Sequence, residues 1–181
     1  MKRICFFLLS LALSGCGGGT TSSDSRTVDL GLDAPAARLP ALRIGSVRAL
    51  APFDSTDMQY RLAYRNAAEV AAFANSRWAA PPADMIRKQL LRATEEGAGR
   101  CTLAVEVQEF SQVFASPAES EARIEMHIVL SSVAKTVSKQ IAAIDGKAGP
   151  DAVSGASGFA RAASRAIAEL SSWVAAQQEC R

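Results

Sequence analysis

Cys101-Thr-Leu-Ala-Val-Glu-Val-Gln-Glu-Phe110 and Ala122-Arg-Ile-Glu-Met-His-Ile-Val-Leu130 are the stretches that decide the fold. In the first, Cys101, Leu103, Val105 and Val107 alternate with Thr102, Ala104, Glu106 and Gln108. In the second, Ala122, Ile124, Met126, Ile128 and Leu130 alternate with Arg123, Glu125 and His127. A side-chain period of two marks a strand with one buried and one wet face. After Glu109 the apolar phase slips to Phe110 and Phe114, which predicts a bulge or a strong local twist there. A loop holding Ser116-Pro117 joins the two strands, so they run antiparallel. A weaker third strand is predicted over residues 133–144.

Working outward, Gly146, Gly149 and Pro150 break the chain before an Ala-rich helix. Its apolar stripe is Phe159, Ala163, Ala166, Ile167, Leu170, Trp173 and Val174. On the other side, Met85, Ile86, Leu90 and Ala93 fall at helical spacing, with Asp84 in the first turn, where negative charge is favoured. That helix follows Pro81-Pro82, of which the second suits a first helical turn, and it is expected to stop near Gly97 and Gly99. Upstream, Met58, Tyr60, Leu62 and Tyr64 alternate with Gln59, Arg61 and Ala63. Arg65-Asn66 reads as a turn, with residues 69–73 returning as the second arm of a hairpin. Residues 43–50 read as a strand ending at Pro52, and residues 28–32 as a short strand soon interrupted by Pro35 and Pro40. One twisted sheet covered by helices would bury these faces, which is an α+β domain.

The first residues carry a separate signal. Met1-Lys2-Arg3 is basic, residues 4–13 are apolar except Ser10, and Leu13-Ser14-Gly15-Cys16 follows. A basic start, a short apolar run and small residues before a cut define a secretory signal, and the run falls short of the roughly 20 residues that span a bilayer. Leu13-Ser14-Gly15-Cys16 fits the lipobox of bacterial lipoproteins. Residues 1–15 are therefore expected to be removed, and Cys16 to carry lipid and become the mature first residue. Position 17 is Gly rather than Asp, which in enteric bacteria favours the outer membrane. Residues 17–26 are mainly Gly, Ser and Thr, and 16–41 reads as a flexible tether, leaving 42–181 as the folded domain.

The formal net charge is +2, with 20 basic and 18 acidic residues, so bulk electrostatics give no reason to expect nucleic acid as a partner. Four cysteines are present. Cys5 leaves with the signal and Cys16 takes the lipid. Cys101 and Cys180 remain, and in an oxidising compartment they are expected to pair, the alternative being two free thiols. One His and no CxxC spacing argue against a metal site, and no cofactor is expected beyond the covalent lipid. GxSxG, Walker, GxGxxG and HExxH motifs are absent from the sequence. His127 lies on the wet phase of its strand, Glu95 and Glu96 close a helix as solvated charge, and Asp54 and Asp57 suit a turn beside Pro52. An enzyme is not expected.

Residues 42–91 combine a strand ending at Pro52, Met58-Gln59-Tyr60-Arg61, a hairpin, and Phe73-Ala-Asn-Ser-Arg-Trp-Ala-Ala-Pro-Pro82 before a helix. This pattern resembles the ABC-type transport auxiliary lipoproteins, the PqiC-like family. The turn at Trp78, Pro81 and Pro82 is its most specific feature, and Leu103-Ala-Val-Glu-Val-Gln-Glu-Phe110 is similar to the family's next strand. The resemblance covers residues 42–174. The aromatic pair usual near the family's lipid-bearing Cys is replaced here by Val28-Asp29-Leu30. The resemblance implies a three-layer α/β (α+β) domain with a mixed, largely antiparallel twisted sheet and two main helices, like the anticodon-binding domains. It implies a non-catalytic outer-membrane lipoprotein facing the periplasm. Such a protein docks the mammalian-cell-entry (MCE) domain protein of an ABC-driven intermembrane lipid transporter. The membrane, through the anchor, is the other partner, and a homo-oligomer is left open. The rival readings are a structural or assembly lipoprotein of the envelope and a periplasmic hydrolase. Trp78 itself is read as an aromatic cap over the sheet.

Overall fold

A computed structural model describes residues 25–33 and 35–180. The signal sequence and Cys16 lie outside the described residues. Seven strands form one sheet: β1 (Arg26–Val28), β2 (Arg43–Ala49), β3 (Asp57–Leu62), β4 (Ala71–Trp78), β5 (Thr102–Phe114), β6 (Ser120–Ser131) and β7 (Thr136–Asp145). The helices are α1 (Ala63–Asn66), α2 (Pro82–Ala93) and α3 (Ala152–Ala175), with one 3₁₀ turn at Gln178–Cys180.

β5 organises the sheet. Along one edge it pairs antiparallel with β6 over its whole length, and β6 pairs antiparallel with β7. Its other edge is shared in parallel by two strands in succession, β2 beside Thr102 to Val107 and β3 beside Ser111 to Phe114. β3 pairs antiparallel with β4, and β1 lies parallel to β4 at the margin. The class is the expected one: a mixed, largely antiparallel sheet with two main helices.

The register of β5 against β6 shifts between Val107 and Glu109. This is the bulge that the phase change predicts: Leu103, Val105 and Val107 point to the core before it, Phe110 and Phe114 after it. α2 buries Met85, Ile86, Leu90 and Ala93, and α3 buries Phe159, Ala163, Ile167 and Leu170. Both pack on the same side of the sheet. Among the described residues the layering is therefore helices over one sheet face, and the third layer implied by the resemblance is not formed by them.

The tether expected over residues 16–41 does not include residues 26–33 and 35–41, which are part of the domain. From Arg26 the chain belongs to the domain: β1 extends the sheet, and Leu30, Leu39 and Leu42 are 4%, 0% and 6% exposed. Residues 29–33 and 35–41 form a strap across the cleft between α2 and α3. Arg92 donates to the Leu32 carbonyl at 2.6 Å and Ser171 to the Arg38 carbonyl at 2.6 Å, while Leu39 exchanges backbone bonds with Ala93 and Glu95. The prolines at 35 and 40 read as interruptions in the sequence, yet an extended strap outside a sheet tolerates residues with no N–H to give. The domain starts near residue 26 rather than 42.

Three smaller boundaries move. Arg65-Asn66 lies in the helical turn of α1. β4 runs on to Trp78 instead of stopping at Phe73, and β7 begins at Thr136, leaving Val133 fully exposed in the turn before it. α3 starts with a capping box, the Asp151 carboxylate accepting from the N–H groups of Val153 and Ser154. Behind it Gln112, fully buried, donates to Ser120 Oγ and the Gly149 carbonyl at 2.8 Å each. A Cβ at Gly155 would strike the Gln112 amide oxygen, so only glycine lets α3 come this close to β5.

Candidate functional site

Four places merit a functional reading: the turn at Trp78, the cysteine pair, a groove beside α3, and the sheet face that no helix covers. Trp78 closes β4 and is 2% exposed. Its ring meets Phe110 and Phe159 edge-on, at 5.4 and 5.2 Å between centroids, and those two rings stack on each other at 4.5 Å. Pro81 is the N-cap of α2 and Pro82 its first residue; the Pro81 carbonyl accepts from Asp84 and Met85. The motif thus turns the chain from sheet to helix and drives an aromatic pin between α3 and β5. Trp78 and Pro82 are buried, Pro81 is half-buried and only Ala79 of the turn is exposed. The Trp78 indole N–H is buried with no partner among the described residues.

Cys101 and Cys180 form a disulfide, with Cα atoms 5.3 Å apart and a sequence separation of 79. Both are buried. The bond ties the chain just before β5 to the turn after α3.

A groove of about 860 Å³ runs between the strap and α3, lined by Thr27, Leu30, Gln89, Ala156, Ser157 and Ile167 among others. Gln89 is 7% exposed. Asp29, Asp33, Arg161 and Ser164 also line it; the Asp29 carboxylate accepts from the Gly31 N–H and the Ser164 hydroxyl from the Ala36 N–H, and among the described residues no hydrogen bond joins one of its hydroxyls to one of its carboxylates.

The uncovered face is a polar lattice. Arg48, Glu106, His127 and Gln140 stand in register across β2, β5, β6 and β7. Arg48 pairs with Glu106, Arg61 with Glu109 at 2.7 Å, and Arg123 with Glu121 at 2.7 Å and Glu125 at 3.4 Å. Gln140 donates to Gln108, and Gln108 to Glu106. The Gln108 hydrogen bond, with Arg48 beside it, holds the Glu106 carboxyl below its usual range against the opposing effect of burial. Between these charges sit Ala104, Val113, Val129, Ala142 and Ile144. His127 is half-exposed, surrounded by amides and paired carboxylates rather than by a candidate nucleophile. At about 3.3 Å per residue and 4.8 Å between strands, the face measures roughly 40 by 15 Å. That is about 600 Å², less than the ~800 Å² that one partner contributes to a standard interface but above the ~500 Å² per partner that a specific one needs.

One buried carboxylate is structural. The Asp145 side chain is 2% exposed and is gripped by Arg161 at 2.9 Å and Arg165 at 2.6 Å, with the Lys147 N–H at 3.1 Å. The Arg161 hydrogen bond first, then the Lys147 amide and the Arg165 charge, hold its carboxyl below the ordinary 3.8. A depressed folded-state pKa contributes stability above the unfolded value and loses it as pH falls through the folded value. Asp145→Asn is therefore expected to cost about 1–3 kcal/mol at neutral pH. That deficit should shrink below the ordinary carboxyl pKa of 3.8, as urea titrations of both proteins at several pH values would show.

Among the described residues, no group of three or more His, Cys, Asp or Glu could hold a metal ion, and no helix is long and apolar enough to cross a membrane. No family model matches the chain, and no curated protein matches it. Two solved structures share its fold. Protein XCC0632 from Xanthomonas campestris, described as belonging to DUF330, aligns with a TM-score of 0.64 at 20% identity, over 79% of this chain and 94% of that one. A second, described as an uncharacterized protein, aligns with a TM-score of 0.67 at 14% identity, over 83% and 98% of the two chains. At these identities the likeness speaks for the fold.

Proposed function

We propose that this chain is a non-catalytic lipoprotein of the bacterial outer membrane that faces the periplasm. In this reading it is the auxiliary component of an ABC-type intermembrane lipid transporter and docks the transporter's MCE-domain protein. The observation that carries the reading is the uncovered sheet face, of docking size and without a catalytic grouping. The complete lipobox at Cys16 and the resemblance over residues 42–174 supply the compartment and the partner. A face whose charges are already paired in cis binds without leaving buried unpaired ions, because each carboxylate keeps its arginine. It also sets register through the order of its charges.

The test is affinity of the purified chain for an MCE-domain protein encoded beside it. Arg48→Glu with Arg123→Glu places like charges against Glu106, Glu121 and Glu125. It is expected to weaken the complex at least about ten-fold, since like-charge contacts at an interface cost several kcal/mol, while the exposed pairs lost cost the fold little. Efficient hydrolysis of a substrate, with no affinity for any MCE protein, would overturn the proposal.

A further inference from the structure

The two ends of the sheet differ in a way that gives the domain an orientation. β1 runs parallel to β4, with Arg26 beside Ser76 and Val28 beside Trp78. β4 begins at the tip of the β3–β4 hairpin and runs away from it. The chain therefore enters β1 from the side of that tip. Ala71 lies five residues back from Ser76, about 17 Å along the strand. The β5–β6 loop, residues 115–119, is at this same end, because β3 and β5 are parallel. The disulfide and the turn before β7 lie at the other end.

The tip exposes apolar side chains beside a single pair of opposite charges. From Ala63 the sequence reads Ala-Tyr-Arg-Asn-Ala-Ala-Glu-Val-Ala-Ala-Phe73, and residues 64–69 are all exposed. Tyr64 is 45% exposed. The segment carries one cation, Arg65, and one anion, Glu69. Behind it Tyr60, Phe73 and Phe114 form an aromatic cluster, with centroids 4.7 to 6.5 Å apart. A tip that exposes Tyr64, Ala67 and Ala68 among Arg65, Asn66 and Glu69, backed by aromatics, has the mixed, tyrosine-bearing composition that settles at a membrane–water boundary.

The length of chain before the domain identifies the occupant. Ser25 lies nine residues after Cys16 in the sequence. Fully extended, that stretch spans at most about 30 Å, and as a coil about 17 Å on average. That reach is no more than the thickness of a bilayer's hydrocarbon core, and it is delivered to the end of the domain that bears the tip.

We infer that the β3–β4 hairpin tip, residues 62–72, rests on the lipid surface that holds the Cys16 anchor. The inference depends on the anchoring read above. The tip's charges cancel, so contact is made by Tyr64, Leu62 and the alanines entering the headgroup region rather than by attraction to anionic lipid. The opposite end then points away from the membrane.

The experiment uses the full chain, lipidated in a bacterial envelope and reconstituted into phosphatidylethanolamine–phosphatidylglycerol vesicles. Mass measurement and flotation report the anchor. Tyr64→Trp and Val133→Trp place a reporter at either end, read against the parent's Trp78 and Trp173 emission. Lipids brominated high on the acyl chain are expected to lower the added Tyr64→Trp emission about two-fold, as for a side chain 5–10 Å into the interface, and to leave that of Val133→Trp unchanged. A chain that floats while both reporters respond alike overturns the tip contact and spares the anchor. A chain that carries no lipid and does not float overturns both. A Tyr64→Trp emission that shifts only on adding an MCE protein means a protein occupant, and overturns the proposal as well.

Discussion

Replacing both Cys101 and Cys180 with Ser is expected to lower the melting temperature by about 10–15 °C. Closing a loop of this size removes denatured-state entropy worth about 4–5 kcal/mol. For a domain of this length each kcal/mol moves the midpoint by roughly 2–4 °C. The bond spans 79 residues of sequence and encloses β5, β6, β7 and α3, so all four elements benefit from it. Both cysteines are buried, and reductant should therefore leave the native protein oxidised until it unfolds. Calorimetry of the double variant, and of the parent with and without reductant, checks both statements. A shift under about 3 °C would mean that the denatured chain is already compact around these strands.

Trp78→Ala is the second large effect. The side chain packs edge-on against the stacked rings of Phe110 and Phe159, and truncating an aromatic at such a site costs about 3–5 kcal/mol. Trp78→Phe should be far milder. It keeps an aromatic surface against both rings, and it removes an indole N–H that is buried without a partner among the described residues, so no hydrogen bond is lost with it. Urea midpoints of the two variants separate the packing effect from the polar one. Equal losses would mean that the N–H has a partner beyond the described residues.

How much of the fold is legible in the sequence depends on how far each signal is local. β5 and β6 are readable to within one or two residues at their ends. Each alternates for about ten positions, and the slip between Val107 and Glu109 shows in the apolar phase of β5 alone. The stripe of α3 is readable for the same reason. β1 is not, because three residues hold too little alternation to set a period, and its partner Ser76 to Trp78 is some fifty positions away. The extension of β4 to Trp78 is hidden because Ala74, Asn75, Ser76 and Arg77 break the apolar alternation after Phe73. That β2 and β3 share one edge of β5 is a matter of parallel pairing, which leaves no trace in either strand alone. The lattice on the uncovered face lies in the polar half of the same alternation: its residues are identifiable as wet, and their mutual pairing emerges only with the strands in register.

The place where the chain enters the domain has a mechanical meaning. Any pull arriving from before Ser25 acts along the axis of β1, so the bonds between β1 and β4 are loaded together, in shear. If they yield, the strap is next in line, held by the buried Leu30, Leu39 and Leu42 and by hydrogen bonds to Arg92, Ala93, Ser164 and Ser171. The retreat stops at β2, which is paired to β5 beside the covalent link from Cys101 to Cys180. Residues 26–42 would then be released, adding up to about 60 Å of extended chain while the rest of the sheet stays closed. A domain strung between two moving surfaces would in this way carry its own slack, taking up tension by lengthening at one margin rather than by coming apart.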